Sequence, residues 1–205
     1  MSAIKNIIFD LGGVIYDIDY HKTIESFSKL GIDQAEILYS QAKQTHLFDE
    51  YEIGAISTSE FIQELKTKLS KELKDQEIID AWNALLIGLP THRLDFLMDV
   101  KSKFNSYLLS NTNALHIAQI NKELEGKSKN GLAPYFHEVI LSYELGMRKP
   151  HKETFIEVIN RLGLDPSETL FIDDSSQHLI GAENAGIKVY HHVTGDIVDI
   201  FPTLV

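Results

Sequence analysis

The sequence predicts an α/β fold: a doubly wound (Rossmann-like), mainly parallel sheet with an inserted four-helix cap. Three observations carry this expectation. Short apolar runs alternate with amphipathic helical patterns in the second half of the chain, polar residues end those runs, and the stretch from about Tyr20 to Gly88 holds only helical stripes.

The runs are Ile7-Ile8-Phe9, Tyr107-Leu108-Leu109, Val139-Ile140-Leu141, Leu170-Phe171-Ile172 and Ile187-Lys188-Val189-Tyr190. The first four are too short for helices and lack strict alternation, as expected of strands buried on both faces. Between the later runs, Leu94, Leu97 and Met98 share one helical face. Phe155, Ile156, Val158, Ile159 and Leu162 form a second stripe, and Leu179, Ile180 and Ala182 a third.

The insert reads differently. Phe27 and Leu30 fall on one face, followed by Ile37 and Leu38; Phe61, Ile62, Leu65 and Leu69 form a clear amphipathic stripe; Ile78, Ile79, Trp82, Leu85 and Leu86 form another. Asp33, Thr58 and Asp75 are expected N-caps, and Pro90 marks the return to the sheet. The expected division is a core of residues 1–15 and 90–205 and a helical cap of residues 16–89. Trp82 is expected in the cap core. The segment Phe48–Ile56, with Gly54, is expected to be a loop that swings, and the polar stretch Lys122–Asn130 a surface connection.

Composition narrows the function. Among 205 residues, 30 are acidic and 19 are Lys or Arg, for a net charge of −11, which disfavours nucleic-acid and membrane-surface partners. The absence of cysteine excludes disulfides, thiolate metal sites and a cysteine nucleophile. No apolar run approaches the ~20 residues that span a bilayer, and Met1–Asn6 has no signal-peptide character, so a soluble cytoplasmic protein is expected. No Gly-x-Gly-x-x-Gly or Walker-type loop is present, which disfavours a nucleotide-cofactor enzyme. The nine histidines show no metal spacing, and His191-His192 and Arg148 are expected to be solvated.

The residues that end the runs carry the strongest signal. Asp10, Ser110, Ser142 and the pair Asp173-Asp174 each follow an apolar run. Ligands of open parallel sheets bind outside the carboxyl ends of the strands, so these groups predict one polar site at that edge.

With Lys149-Pro150 added, the ordered segments Phe9-Asp10-Leu11-Gly12-Gly13-Val14-Ile15, Leu108-Leu109-Ser110-Asn111-Thr112 and Phe171-Ile172-Asp173-Asp174 resemble the four motifs of the haloacid dehalogenase-like superfamily. The resemblance covers essentially the whole chain. It is greatest to small bacterial phosphatases with a helical cap, including those similar to α-D-glucose-1-phosphate phosphatase. Tyr16-Asp17-Ile18-Asp19 and Gly54-Ala55-Ile56-Ser57 add to it.

The resemblance implies a magnesium-dependent phosphatase that hydrolyses a small phosphorylated metabolite through an aspartyl-phosphate. It implies Asp10 as nucleophile and Asp10, the Gly12 carbonyl, Asp174 (directly) and Asp173 (through water) around Mg²⁺. Ser110 and the Asn111 amide are implied to hold phosphate oxygens, and Lys149 to neutralise charge. A divalent cation is what lets a carboxylate approach an anionic phosphoryl group. In the cap, Tyr51 and Glu52 are the expected substrate contacts.

One position departs from the pattern. Most phosphatases of this superfamily carry a second aspartate two residues after the nucleophile, as general acid and base; here that residue is Gly12. The departure points to a sugar phosphate or other activated phosphate, with Asp17, Asp19, His21, Tyr51 or Glu52 as substitute donor. Two alternatives stand beside this reading: a metal-independent 2-haloacid dehalogenase, and a non-catalytic phospho-ligand or protein-binding homologue. The expected assembly is a monomer or homodimer.

Overall fold

The computed structural model describes residues 3–31, 46–67 and 72–205. Five parallel strands form the main sheet: β1 (Asn6–Phe9), β4 (Asn105–Ser110), β5 (Glu138–Leu141), β6 (Thr169–Asp173) and β7 (Lys188–His191). Their order is β5-β4-β1-β6-β7, so β1 lies at the centre with β4 and β6 on either side.

The uninterrupted apolar runs follow from burial on both faces. Ile7 and Phe9 point to one side, where they pack with Leu94, Leu97 and Val100 of α5 (Thr91–Lys103) and Ile117 and Ile120 of α6 (Ala114–Glu123). Ile8, between them, points to the other side, against Phe155 and Val158 of α8 (Lys152–Leu162) and Leu179 and Ala182 of α9 (Ser176–Asn184). Ile7, Ile8 and Phe9 are fully buried, each contributing about 1.5–3 kcal/mol of transfer free energy. Three residues of the expected stripes face outward instead: Met98, Ile156 and Ile180 are exposed.

Between the first two strands of the sheet lie α1 (Tyr20–Lys29), α2 (His46–Glu52), α3 (Thr58–Thr67) and α4 (Asp75–Asn83). They bury a second apolar cluster, rich in aromatic rings. Trp82 stacks on Phe48 with centroids 5.1 Å apart, and Phe61 packs on both. The expected positions Asp33, Ile37, Leu38 and Leu69 lie outside the described residues.

Several sequence expectations change here. The Tyr20–Gly88 stretch contains a strand after all: β3 (Leu86–Gly88) pairs antiparallel with the short β2 (Asp17–Ile18). Leu86 therefore leaves the helical stripe for a two-stranded ribbon that bridges the two apolar clusters. The first part of the Phe48–Ile56 segment is helical, within α2. Ser57, rather than Thr58, caps α3: its hydroxyl accepts from the Glu60 amide, while the Glu60 carboxylate accepts from the Ser57 amide. Lys74, rather than Asp75, occupies the cap position of α4, and its amide donates to Glu77. No helix among the described residues is long and apolar enough to cross a membrane.

Candidate active site

Parallel strands place all their carboxyl ends on one edge, and adjacent strands lie roughly 4.8 Å apart. Asp10 leaves β1, Ser110 ends β4 and Asp173 ends β6, so residues 163 positions apart or fewer in sequence meet across three neighbouring strands. The Asp10 amide donates to the Ile172 carbonyl at 2.8 Å, which continues the β1–β6 ladder to the site itself.

Lys149 lies at the centre of this convergence. Its side chain is 0% exposed, and its ammonium donates to Asp10 Oδ1 at 2.8 Å, Asp173 Oδ2 at 2.7 Å and the Leu109 carbonyl at 3.0 Å. All three ammonium donors are thereby used. The Phe171 ring lies 5.2 Å from the same nitrogen. Burial by itself would lower the Lys149 pKa, but the two carboxylates outweigh it and hold the ammonium above its ordinary range. Burial pushes the Asp10 carboxyl up, against the pull of Lys149. Asp173 is held low despite its own burial, by Lys149 and by His178.

Asp173 also accepts from the Ser175 amide at 2.8 Å and from His178 Nδ1 at 3.0 Å. One ligand atom from each of Asp10, Asp173 and His178 lies within 4.8 Å of the others. His178, on α9, lines the cleft; the sequence analysis missed it, because nothing in its spacing separates it from a surface histidine. Asp174 lines the cleft beside the loop after β1. A Cβ added to Gly13, whose φ is +75°, would lie 2.4 Å from Asp174 Oδ2, so both conformation and contact require glycine there.

The cleft has a volume of about 80 Å³ and is walled by both apolar clusters. Asp10, Gly12, Ser110, Asn111 and Asp174 lie on the core side. Glu52 of α2 and Tyr20 at the start of α1 face them. Burial, reinforced by the charges of Asp174, Asp10, Glu52 and Asp173, raises the Tyr20 phenol far above its usual range, so it stays protonated.

The other expected residues fall elsewhere. Tyr51 does not line the cleft: its ring stacks on Phe61 at 4.2 Å in the helical core, and its hydroxyl bonds to Thr58 Oγ1 at 2.9 Å. Asp17 pairs with Arg93 at 2.8 Å, Asp19 caps α1 by accepting from the His21 amide, and His21 is exposed. Ser142, counted among the polar strand ends, is buried behind the site. Its hydroxyl donates to the Thr112 carbonyl at 3.0 Å and accepts from the Thr112 amide at 2.9 Å. It shapes the loop after β4.

Arg148 is not a solvated surface charge. It contacts Asp49 and lies 3.1 Å from Glu52 Oε2, both on α2, and so ties the loop that carries Lys149 to the helical insert. His192 is buried, and His191 Nε2 bonds to the Asp174 carbonyl at 3.0 Å. His116 is buried between the two clusters, stacked on Trp82 with centroids 4.8 Å apart. Burial pushes its pKa down to about 4.

A family model described as haloacid dehalogenase-like hydrolase matches residues 4–186. The chain is 35% identical over 193 residues to D-ribitol-5-phosphate phosphatase of Bacteroides thetaiotaomicron, covering 94% of this chain and 93% of that one. Among solved structures, an aspartate-to-alanine variant of a HAD family enzyme from Bacteroides thetaiotaomicron, in complex with magnesium and inorganic phosphate, superposes with a TM-score of 0.91. It is 35% identical, and the match covers 97% of this chain and 99% of that one. A HAD-like family hydrolase from Porphyromonas gingivalis matches with a TM-score of 0.87 at 30% identity, over 99% and 98% of the two chains.

Proposed function

The chain belongs to the haloacid dehalogenase-like hydrolase family, and from that premise we propose that it is a magnesium-dependent phosphatase that hydrolyses a small phosphorylated metabolite, with Asp10 as the nucleophile. The observation that carries this reading is Lys149: a fully buried ammonium held between Asp10 and Asp173 at the ends of adjacent strands. A buried charge of this kind is costly unless paired, and surface lysines have no need of it.

The donor set fits a hard divalent cation. The Asp10 and Asp174 carboxylates and the Gly12 carbonyl are all oxygen ligands, which is what magnesium prefers. Asp173, already engaged with Lys149, Ser175 and His178, is better suited to orient its neighbours than to bind directly. Magnesium there would offset the negative charge of carboxylate and phosphate.

The remaining chemistry belongs to the chain. An Asp10 oxygen attacks phosphorus, and the bond to the leaving oxygen breaks. Lys149 fixes the attacking carboxylate and balances the charge that accumulates around it. Ser110 and the Asn111 amide donate to the phosphoryl oxygens at the start of α6, whose N-terminus favours an anion. Water then cleaves the aspartyl-phosphate and restores Asp10.

Residues 16–89 serve as the cap in this reading. The separate aromatic cluster of α1–α4 supports that division, and Glu52 and Arg148, which line the cleft, would meet the hydroxyl-bearing part of a substrate. Sugar and polyol phosphates are the first substrates to test, given the D-ribitol-5-phosphate phosphatase relative.

Phosphate release from a metabolite panel, with magnesium removed and restored, tests the assignment. Metal-dependent release that disappears in Asp10→Asn supports it. Release by Asp10→Asn at the wild-type rate, or metal-free halide release from a 2-haloacid, overturns it.

A further inference from the structure

Gly12 is two residues past the nucleophile, and the space above it is already filled. A Cβ added to Gly12 would lie 2.8 Å from Ile18 Cδ1 and 3.7 Å from two further carbons of the same side chain. Ile18 is held in place from both directions. It pairs with Leu86 in the β2–β3 ribbon and packs against both apolar clusters. The loop between Gly12 and Ile18 closes on itself through the Gly13 amide, which donates to the Tyr16 carbonyl at 2.9 Å, and the Tyr16 amide, which donates to Leu11 at 2.8 Å. Ile18, Leu11, Leu85 and Leu86 all line the cleft. The part of the wall over Gly12 is therefore hydrocarbon, and it can neither accept a proton from water nor hold one in position; His178 and Glu52, titratable groups of the cleft, are engaged with Asp173 and Arg148.

We propose that Ile18, by filling this space, makes water attack on the aspartyl-phosphate the slow half of the cycle, so that phosphorylated Asp10 accumulates with substrates whose leaving groups depart readily. The inference rests on the phosphatase reading above. In the first half, an Asp10 oxygen forms a bond to phosphorus and the leaving oxygen departs; a phenolate needs no proton to do so. In the second, a water oxygen bonds to phosphorus, the phosphorus–Asp10 oxygen bond breaks, and the water proton passes to phosphate and solvent. A positioned base accelerates such a step by roughly 100- to 10,000-fold, and that help is what the Ile18 wall withholds. Alkyl phosphates, whose leaving oxygen needs a proton, remain limited by the first half and show no accumulation.

Rapid-quench kinetics with p-nitrophenyl phosphate and magnesium test this directly. The wild type should release a burst of p-nitrophenol approaching one per active site, with a hydroxylamine-labile phosphoryl group on the protein that is absent from Asp10→Asn. The double substitution Gly12→Asp with Ile18→Ala, which provides both a base and the room for it, should shrink the burst and raise steady-state kcat by about 10-fold or more. Linear, Asp10-dependent release without a burst overturns the proposal while leaving the phosphatase reading intact. Equal turnover by Asp10→Asn, or no turnover by the wild type, overturns both. The wild-type burst decides the matter even if the double variant does not fold.

Discussion

Asn111 and Lys149 exchange two hydrogen bonds: Asn111 Nδ2 donates to the Lys149 carbonyl at 2.9 Å, and the Lys149 amide donates to Asn111 Oδ1 at 3.0 Å. One side-chain amide thus fixes the backbone of the residue whose ammonium joins Asp10 to Asp173. Asn111→Ala should lower kcat/KM for phosphate release by about 10- to 100-fold, because sub-ångström placement is lost rather than a reacting group. Steady-state kinetics beside a thermal melt check this. A fall in melting temperature with unchanged kcat/KM would refute it.

Removing the Lys149 charge leaves two carboxylates buried without their counter-ion. Lys149→Met should destabilise the fold by about 3–5 kcal/mol at neutral pH, measured by urea denaturation. Lys149→Arg should not restore activity, since the planar fork cannot take the place of a compact ammonium in a fully buried site. Adding Asp173→Asn to Lys149→Met should recover part of the lost stability.

His116 gives the fold a defined pH dependence. Its folded pKa is pushed down to about 4 by burial, from an ordinary 6.5. The unfolded chain therefore takes up a proton that the folded one refuses, and stability falls as pH drops from 6.5 towards 4. The loss reaches about 3 kcal/mol over that window. In His116→Gln, that part of the acid dependence should be missing from urea denaturation curves; an unchanged difference between the two proteins at pH 7 and pH 4.5 would refute it.

Gly13 tests the metal assignment without replacing a proposed ligand. Gly13→Ala strains a backbone at φ +75° and drives a methyl group into Asp174 Oδ2, so the magnesium concentration for half-maximal activity should rise roughly 10- to 100-fold. Titration of activity with magnesium measures it. An unchanged half-saturation point would remove Asp174 from the proposed ligand set.

The candidate site was legible in the sequence to the extent that its residues lie at strand ends. Asp10, Ser110 and Asp173 follow uninterrupted apolar runs, and a parallel sheet leaves no other edge for them. What the sequence hid is set by tertiary packing. Tyr51 has the polarity of a substrate contact, but its helical phase turns it onto Phe61. Arg148 reads as a surface cation because its partner carboxylates, Asp49 and Glu52, are nearly a hundred residues away. Ser142 obeys the strand-end rule and still misses the cleft, since the turn into α7 (Ser142–Leu145) points its hydroxyl at Thr112. The β2–β3 ribbon is too short for any periodicity to reveal it, at two and three residues.

The chain has a single tryptophan, and it sits where the helical insert meets the sheet domain. The Trp82 indole N–H donates to Asn113 Oδ1 at 3.2 Å, its ring stacks on His116, and Asn113 caps the helix that begins beside Ser110. Any separation of the two halves of the molecule must break that bond and unstack that pair. The protein thus carries its own optical reporter: intrinsic emission, with no label attached, reads the hydration and quenching of the Trp82–His116 contact.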